Sequence, residues 1–194
     1  RGIVVAKRRG KKGTKYQMLK EIYHLEKKLD VDIFARNQSK DYNLIVQLRS
    51  ADMTGGTTAK ESLVDLGAEI LKRQTIPPTL YVILIWEPEL QAQKQALINK
   101  IWGRLEDKIG TKHEVEFKKN IENGWNVPGK ELTFRLVYGI DEFCNIVRDF
   151  TGDEKIGNEL KRVWTMLEEW DDLWLTYALT TLELENLTLR GFSN

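Results

Sequence analysis

Tyr42-Asn43-Leu44-Ile45-Val46-Gln47-Leu48-Arg49 is the stretch on which the fold turns. It is rich in β-formers, and side chains alternate in direction along a strand. Leu44, Val46 and Leu48 therefore share one face, and Asn43, Ile45, Gln47 and Arg49 share the other. The alternation predicts a strand with one core face and one face carrying polar chemistry. Just upstream, Val31 to Arg36 is a second strand-like run, and the turn-prone Asn37-Gln38-Ser39-Lys40-Asp41 joins the two as a hairpin. Pairing residues whose numbers sum to 79 closes that hairpin around residues 37 to 42 and sets Asp32 opposite Gln47. A slip of one residue would send Asp32 to the other face relative to Gln47.

Outward from the hairpin, Met18, Leu19, Ile22, Leu25 and Leu29 recur at helical spacing and predict an amphipathic helix over Tyr16 to Leu29. On the other side, Gly55-Gly56 breaks the strand, and Thr58 with Glu61 forms a capping box that opens a helix to about Arg73. Pro77-Pro78 ends the connection. Thr79 to Trp86 is so uniformly apolar and β-branched that it reads as a buried strand. A right-handed crossover through the helix makes this strand a parallel neighbour of Tyr42 to Ser50. A helix from Glu89 to about Ile109, an irregular stretch over residues 113 to 131, a strand over Glu131 to Tyr138 and one or two helices over residues 157 to 186 complete the pattern. The fold expected is α/β (α+β), with a mixed central sheet flanked by helices. Its organisation is a basic arm over 1–14, a core over 15–150, and a helical region over 151–194 packed on the core or on a second subunit.

The chain has 194 residues, 41% hydrophobic and 30% charged, enough for one domain core and unlike a disordered polymer. The lone Cys144 can form no internal disulfide and sits among Phe143, Ile146 and Val147, as core residues do. The longest apolar run, Leu80 to Trp86, is too short to cross a bilayer, and no signal peptide is recognisable. These features point to a cytoplasmic protein with no membrane partner. A net charge of +1 conceals an asymmetry. Residues 1 to 28 hold ten Lys or Arg against Glu21 and Glu26, giving +8, while residues 151 to 185 hold nine acids against three bases, giving −6. The leading segment, with Lys7, Arg8, Arg9, Lys11, Lys12 and Lys15, suits a polyanion through counterion release, and a solvated tail is the plain alternative.

With Asp32 facing Gln47, and Arg49 pointing the same way, an acid, an amide oxygen and a cation share one surface, which Glu21 on the preceding helix approaches. Hard oxygen ligands of this kind suit Mg²⁺ or Mn²⁺, and a neighbouring cation offsets the charge that builds on a phosphodiester during hydrolysis. The plain alternative is an ordinary hairpin with a surface salt bridge.

The order of a helix, Val31-Asp32 on one strand and Ile45-Val46-Gln47-Leu48-Arg49 on the next resembles the PD-(D/E)xK nuclease superfamily over residues 15 to 87. Its continuation, Ser50-Ala51-Asp52-Met53-Thr54-Gly55-Gly56-Thr57-Thr58-Ala59-Lys60-Glu61-Ser62-Leu63-Val64-Asp65, is similar to the stretch after the catalytic strand in certain type II restriction endonucleases. The resemblance implies Asp32 and Gln47 as metal-facing residues, with Arg49 in the place of the motif lysine. Two positions depart from the motif. Gln47 is a neutral, weaker ligand, either native or in place of a glutamate, and Arg49 cannot deprotonate to act as a base. The activity implied is site-specific, Mg²⁺-dependent cleavage of double-stranded DNA by a homodimer, with Asp32, Gln47, Arg49 and Glu21 at the site.

Thr57, Thr58 and Lys60, at the glycine turn and the start of the next helix, are candidate phosphate contacts, against a plain tight turn, and Asp52 is a spare ligand. Lys118, Lys119, Asn120, Asn123, Trp125 and Asn126 have the mixture used by base-edge readers, which surface loops share. His24 and His113 are too few for a histidine metal site. Two other function classes remain, a non-catalytic nucleic-acid-binding domain and a helical interaction or structural protein with a basic tail.

Overall fold

A computed structural model of the chain describes residues 3–5, 14–26, 29, 31–49, 64–85, 94–163 and 165. The elements are β1 (Ile3–Val5), α1 (Thr14–Tyr23), β2 (Ile33–Asn37), β3 (Tyr42–Arg49), α2 (Asp65–Leu71), β4 (Thr79–Ile85), α3 (Lys94–Ile109), a 3₁₀ turn (Thr111–His113), α4 (Glu114–Asn120), β5 (Trp125–Asn126), β6 (Leu132–Tyr138) and α5 (Ile140–Thr151). A further helix covers 154–163. The chain divides into two units, Arg1–Phe143 and Cys144–Asn194.

In the first unit a mixed sheet runs in the order β1-β2-β3-β4-β6-β5. β1, β2 and β3 pair antiparallel, β3, β4 and β6 are parallel, and β5 returns antiparallel on β6. The expected α+β class, with a mixed sheet flanked by helices, is therefore the architecture observed. The crossovers from β3 to β4 and from β4 to β6 step the same way across the sheet, so right-handed connections put their helices on one face. Leu19 and Tyr23 of α1, Leu66 and Ile70 of α2, Ile101 and Trp102 of α3 and Phe117 of α4 bury there with Phe34, Ile45, Tyr81, Ile83, Phe134 and Leu136. The tightest approach is at Gly67 of α2, where a Cβ would lie 2.9 Å from Phe134 Cε1.

The burial of β3 differs from the one-sided pattern expected. Asn43, Ile45 and Gln47 face the helix-covered core, and Leu44 and Val46 on the opposite face are buried too, while Leu48 is 38% exposed. β3 is a central strand, between antiparallel β2 and parallel β4, and is buried on both faces, so its alternation does not sort core from surface.

Several boundaries also shift. α1 ends at Tyr23 because His24 takes a left-handed backbone, φ 50°, which stops a helix, although Leu25 still packs into the core. The hairpin turn is organised by Asn37, whose Oδ1 accepts hydrogen bonds from Ser39 N and Lys40 N at 3.1 Å each, and Asp41 closes it at φ 47° with an ion pair to Arg36. The stretch expected to be irregular holds α4, anchored by the fully buried Phe117, and β5. Acids in the first turn of α4 and lysines in the last match the helix dipole, a signal present in the sequence. The arm expected over 1–14 contains β1, paired on the edge of β2. α2 is described from Asp65 to Leu71, and the proposed cap at Thr58 and Glu61 lies outside the described residues.

In the second unit, Gly157 lets the helix over 154–163 pack close to α5, since a Cβ there would lie 3.0 Å from the Cys144 carbonyl oxygen. Asp153 caps that helix by accepting a hydrogen bond from Lys155 N at 2.9 Å. Cys144 is buried, as expected of a core thiol. No helix among the described residues is long and apolar enough to cross a membrane.

Candidate functional site at the carboxyl ends of the parallel strands

The pairs Ile33↔Val46 and Phe34↔Ile45 reproduce the register in which residue numbers sum to 79. One step further along the same register, Asp32 comes opposite Gln47. The carboxylate is held there, because Asp32 Oδ2 accepts a hydrogen bond from Leu48 N at 2.7 Å. Gln47 is in turn level with Ile83 of β4, and Arg49 with Ile85. Ile83 and Ile85 are level with Leu136 and Tyr138 of β6. The grouping thus lies at the carboxyl ends of three parallel strands, the edge where open α/β sheets usually place ligands.

The members differ in access. Asp32 is exposed, whereas Gln47 is 3% exposed on the helix-covered face. Arg49 contributes its backbone to β3, and its side chain lies outside the described residues. Glu21 is on the exposed side of α1, where it accepts a hydrogen bond from Gln17 Nε2 at 3.0 Å. Two residues on, Tyr23 Oη sits 2.8 Å from Thr79 Oγ1 at the amino end of β4, so this part of α1 lies at the opposite end of the strands from Gln47. Lys15 falls in α1 with its side chain undescribed, and Lys7, Arg8, Arg9, Lys11, Lys12, Asp52, Thr57, Thr58 and Lys60 lie outside the described residues.

One carboxylate beside one amide is a small ligand set. It fits a hard cation that draws its other ligands from water and a substrate phosphate, as Mg²⁺ often does. Among the described residues no three His, Cys, Asp or Glu side chains gather in a way that would hold a metal by themselves. Of the base-reading candidates, Trp125 is buried against Phe117, ring centroids 5.3 Å apart, and is core. Lys118 pairs with Glu114 at 2.5 Å on α4.

Three residues at the same edge carry no motif in the sequence. Lys94 Nζ, at the first described turn of α3, lies 2.5 Å from Glu122 Oε1, both partly exposed. Glu122 follows Ile121, whose carbonyl accepts a hydrogen bond from Leu136 N at 2.8 Å and so ties this turn to β6. Tyr138, two residues along β6, is half-buried, yet its Oη is sealed from solvent without a hydrogen-bond partner among the described residues. Burial, and then the Glu122 charge, push the Tyr138 phenol up to about 12. These residues are far apart in sequence, and the packing of α3 on α4, with the bond that ties Ile121 to β6, brings them to one edge.

Comparison with known proteins identifies no relative. No family model, no curated protein and no solved structure matches the chain.

Proposed function

We propose that the chain is a metal-dependent phosphodiesterase acting on double-stranded DNA, a site-specific endonuclease working as a homodimer. The observation that carries this reading is the β2–β3 register, with the Asp32 carboxylate oriented by Leu48 N beside Gln47 at the carboxyl ends of β3 and β4. Asp32 would hold the cation through its carboxylate, with the Gln47 amide oxygen as the weaker second ligand. Mg²⁺, when bound, would supply Lewis-acid polarisation of the phosphate and a water of lowered pKa. Fixing the carboxylate with a backbone N–H keeps it aimed without consuming both oxygens. Arg49, one alternation beyond Gln47, would offset phosphate charge, and the basic leading segment would add sequence-independent attraction.

A second reading, binding without cleavage, is favoured by one observation. Position 47 is a neutral amide at 3% exposure, where the family motif has an acid. Plasmid DNA incubated with the protein and Mg²⁺ or Mn²⁺ separates the two. Discrete fragments, lost in Asp32→Ala with DNA affinity retained, support the nuclease. A salt-sensitive mobility shift without cutting, converted to cutting by Gln47→Glu, supports a silenced site. Cutting unchanged in Asp32→Ala would remove this carboxylate from the mechanism.

A further inference from the structure

We infer that Lys94 is a phosphate contact at the carboxyl edge, and that Tyr138 is the alternative partner that lets Glu122 release it. The first half of this inference rests on the DNA reading above; the second stands on the protein alone. In the Lys–Glu pair at 2.5 Å a phosphate must compete with the Glu122 carboxylate for the partly exposed Lys94 ammonium. Opening a partly exposed pair costs little, and it is favoured further where a second donor is ready to take the carboxylate. Tyr138 is such a donor. Its O–H is sealed from water and has no hydrogen-bond partner among the described residues, and a donor left in that state is unusual in a folded protein.

The placement fits. Glu122 sits on a turn bonded to β6 through Ile121 and Leu136, next to the strand end that carries Tyr138. It is near enough for its charge to raise the proton affinity of the phenol. When a phosphate takes the Lys94 ammonium, the Glu122 carboxylate turns to accept the Tyr138 O–H, a charge-assisted bond stronger than a neutral one. The two arrangements use the same carboxylate, so the pair acts as a two-position switch and not as a fixed surface salt bridge. No bond is broken covalently and no proton changes owner.

Two measurements test this, one without DNA. In thermal unfolding, Tyr138→Phe in the otherwise native chain should leave Tm unchanged or raise it, because it removes an O–H without a partner. In the Lys94→Gln background, where Glu122 is free to turn, the same change should lower Tm by about 2–4 °C. An equal effect of Tyr138→Phe in both backgrounds overturns the switch. With duplex DNA, Lys94→Gln should reduce the magnitude of the slope of log affinity against log salt by about 1, and Tyr138→Phe should weaken binding about fivefold with the slope unchanged. A native slope in Lys94→Gln overturns the phosphate contact while leaving the nuclease reading intact. A native chain that binds no duplex at low salt overturns both the phosphate contact and the DNA reading, and the coupling between the two substitutions in thermal unfolding then decides the switch alone.

Discussion

The two ends of the parallel strands β3, β4 and β6 carry similar residue types on the same face and use them differently. At the amino end, Asn43 lies level with Arg36 on one side and with Thr79 and Leu132 on the other. Thr79 Oγ1 donates to the Pro77 carbonyl at 2.6 Å, so its only hydroxyl proton is used and Tyr23 must be the donor in the 2.8 Å bond between them. Burial holds the Tyr23 phenol well above its ordinary range. Asn43 is 0% exposed, and its side-chain amide lies beside the Tyr23 hydroxyl, opposing part of the upward push of burial on that phenol. At the carboxyl end, Gln47 is the matching amide, and around it stand an exposed carboxylate, a partly exposed Lys–Glu pair and a phenol. At the amino end the buried Tyr23–Thr79–Asn43 group is sealed inside a solvent-facing Arg36–Asp41 pair, whereas at the carboxyl end the Asp32 carboxylate beside the buried amide is itself exposed. An amide facing the core is therefore no sign of a site by itself. The neighbouring carboxylate, held by a strand N–H, makes the difference.

If that contrast is right, substitutions at the sealed end should act on stability. The largest effect is expected from Tyr23→Ala, about 3–5 kcal/mol in urea unfolding, because a fully buried ring is deleted. Gly67→Ala probes the row between the ends. Its new methyl group meets the Phe134 ring and should cost about 1–3 kcal/mol, with Phe134→Leu restoring part of the loss. Tyr23→Phe should cost about 1 kcal/mol for the lost bond to Thr79. An effect as large as that of Tyr23→Ala would mean that the hydroxyl and not the ring carries the joint.

Alkaline pH reports on both ends at once. The Tyr138 phenol moves from 10.0 to about 12 on folding, so the folded chain holds that proton more tightly than the unfolded chain does. This contribution is complete below pH 10 and is lost as pH rises through about 12, with Tyr23 acting in the same direction. The urea midpoint should fall between about pH 8 and about pH 11, and a flat profile would contradict the burial of these phenols. The smallest effect is expected from Asn43→Leu, which replaces a buried amide beside the Tyr23 hydroxyl by an apolar group of similar volume and should cost at most about 0.5 kcal/mol. A clear loss of stability in Asn43→Leu that persists in the Tyr23→Phe background would show that a buried water satisfies Asn43.

Much of this architecture was legible. The turn-prone residues 37 to 41 located the hairpin, the supposed register summing to 79 is the one observed, and the parallel β3–β4 pair followed from an apolar strand reached by a crossover helix. The covered face of β3 was not legible, because Ile45 and Val46 are equally β-forming and equally buried, so local alternation carries no information about what lies above each face. α4 was hidden by its length, since seven residues with one fully buried anchor give too little periodicity to outweigh the surrounding polar residues. At the site, Asp32 and Gln47 were brought together by a local hairpin that sequence can count. Lys94, Glu122 and Tyr138 are gathered within one long parallel crossover from β4 to β6, and nothing in their spacing encodes that. Glu21 was placed by helical phase alone, and the bond from Tyr23 to Thr79 shows that phase does not determine which end of the sheet a helix residue overlies.

On the proposed reading, the carboxyl ends of β3, β4 and β6 form the working edge of the molecule. Backbone amide shifts recorded by NMR while a short DNA duplex is added, with Ca²⁺ as an oxygen-seeking stand-in cation, test it directly. Shifts gathered at residues 32, 47 to 49, 85, 94, 122 and 138, with residues 23, 36, 43 and 79 unmoved, are the result expected. Shifts gathered at the second set instead, or an unchanged spectrum at saturating duplex, would contradict it.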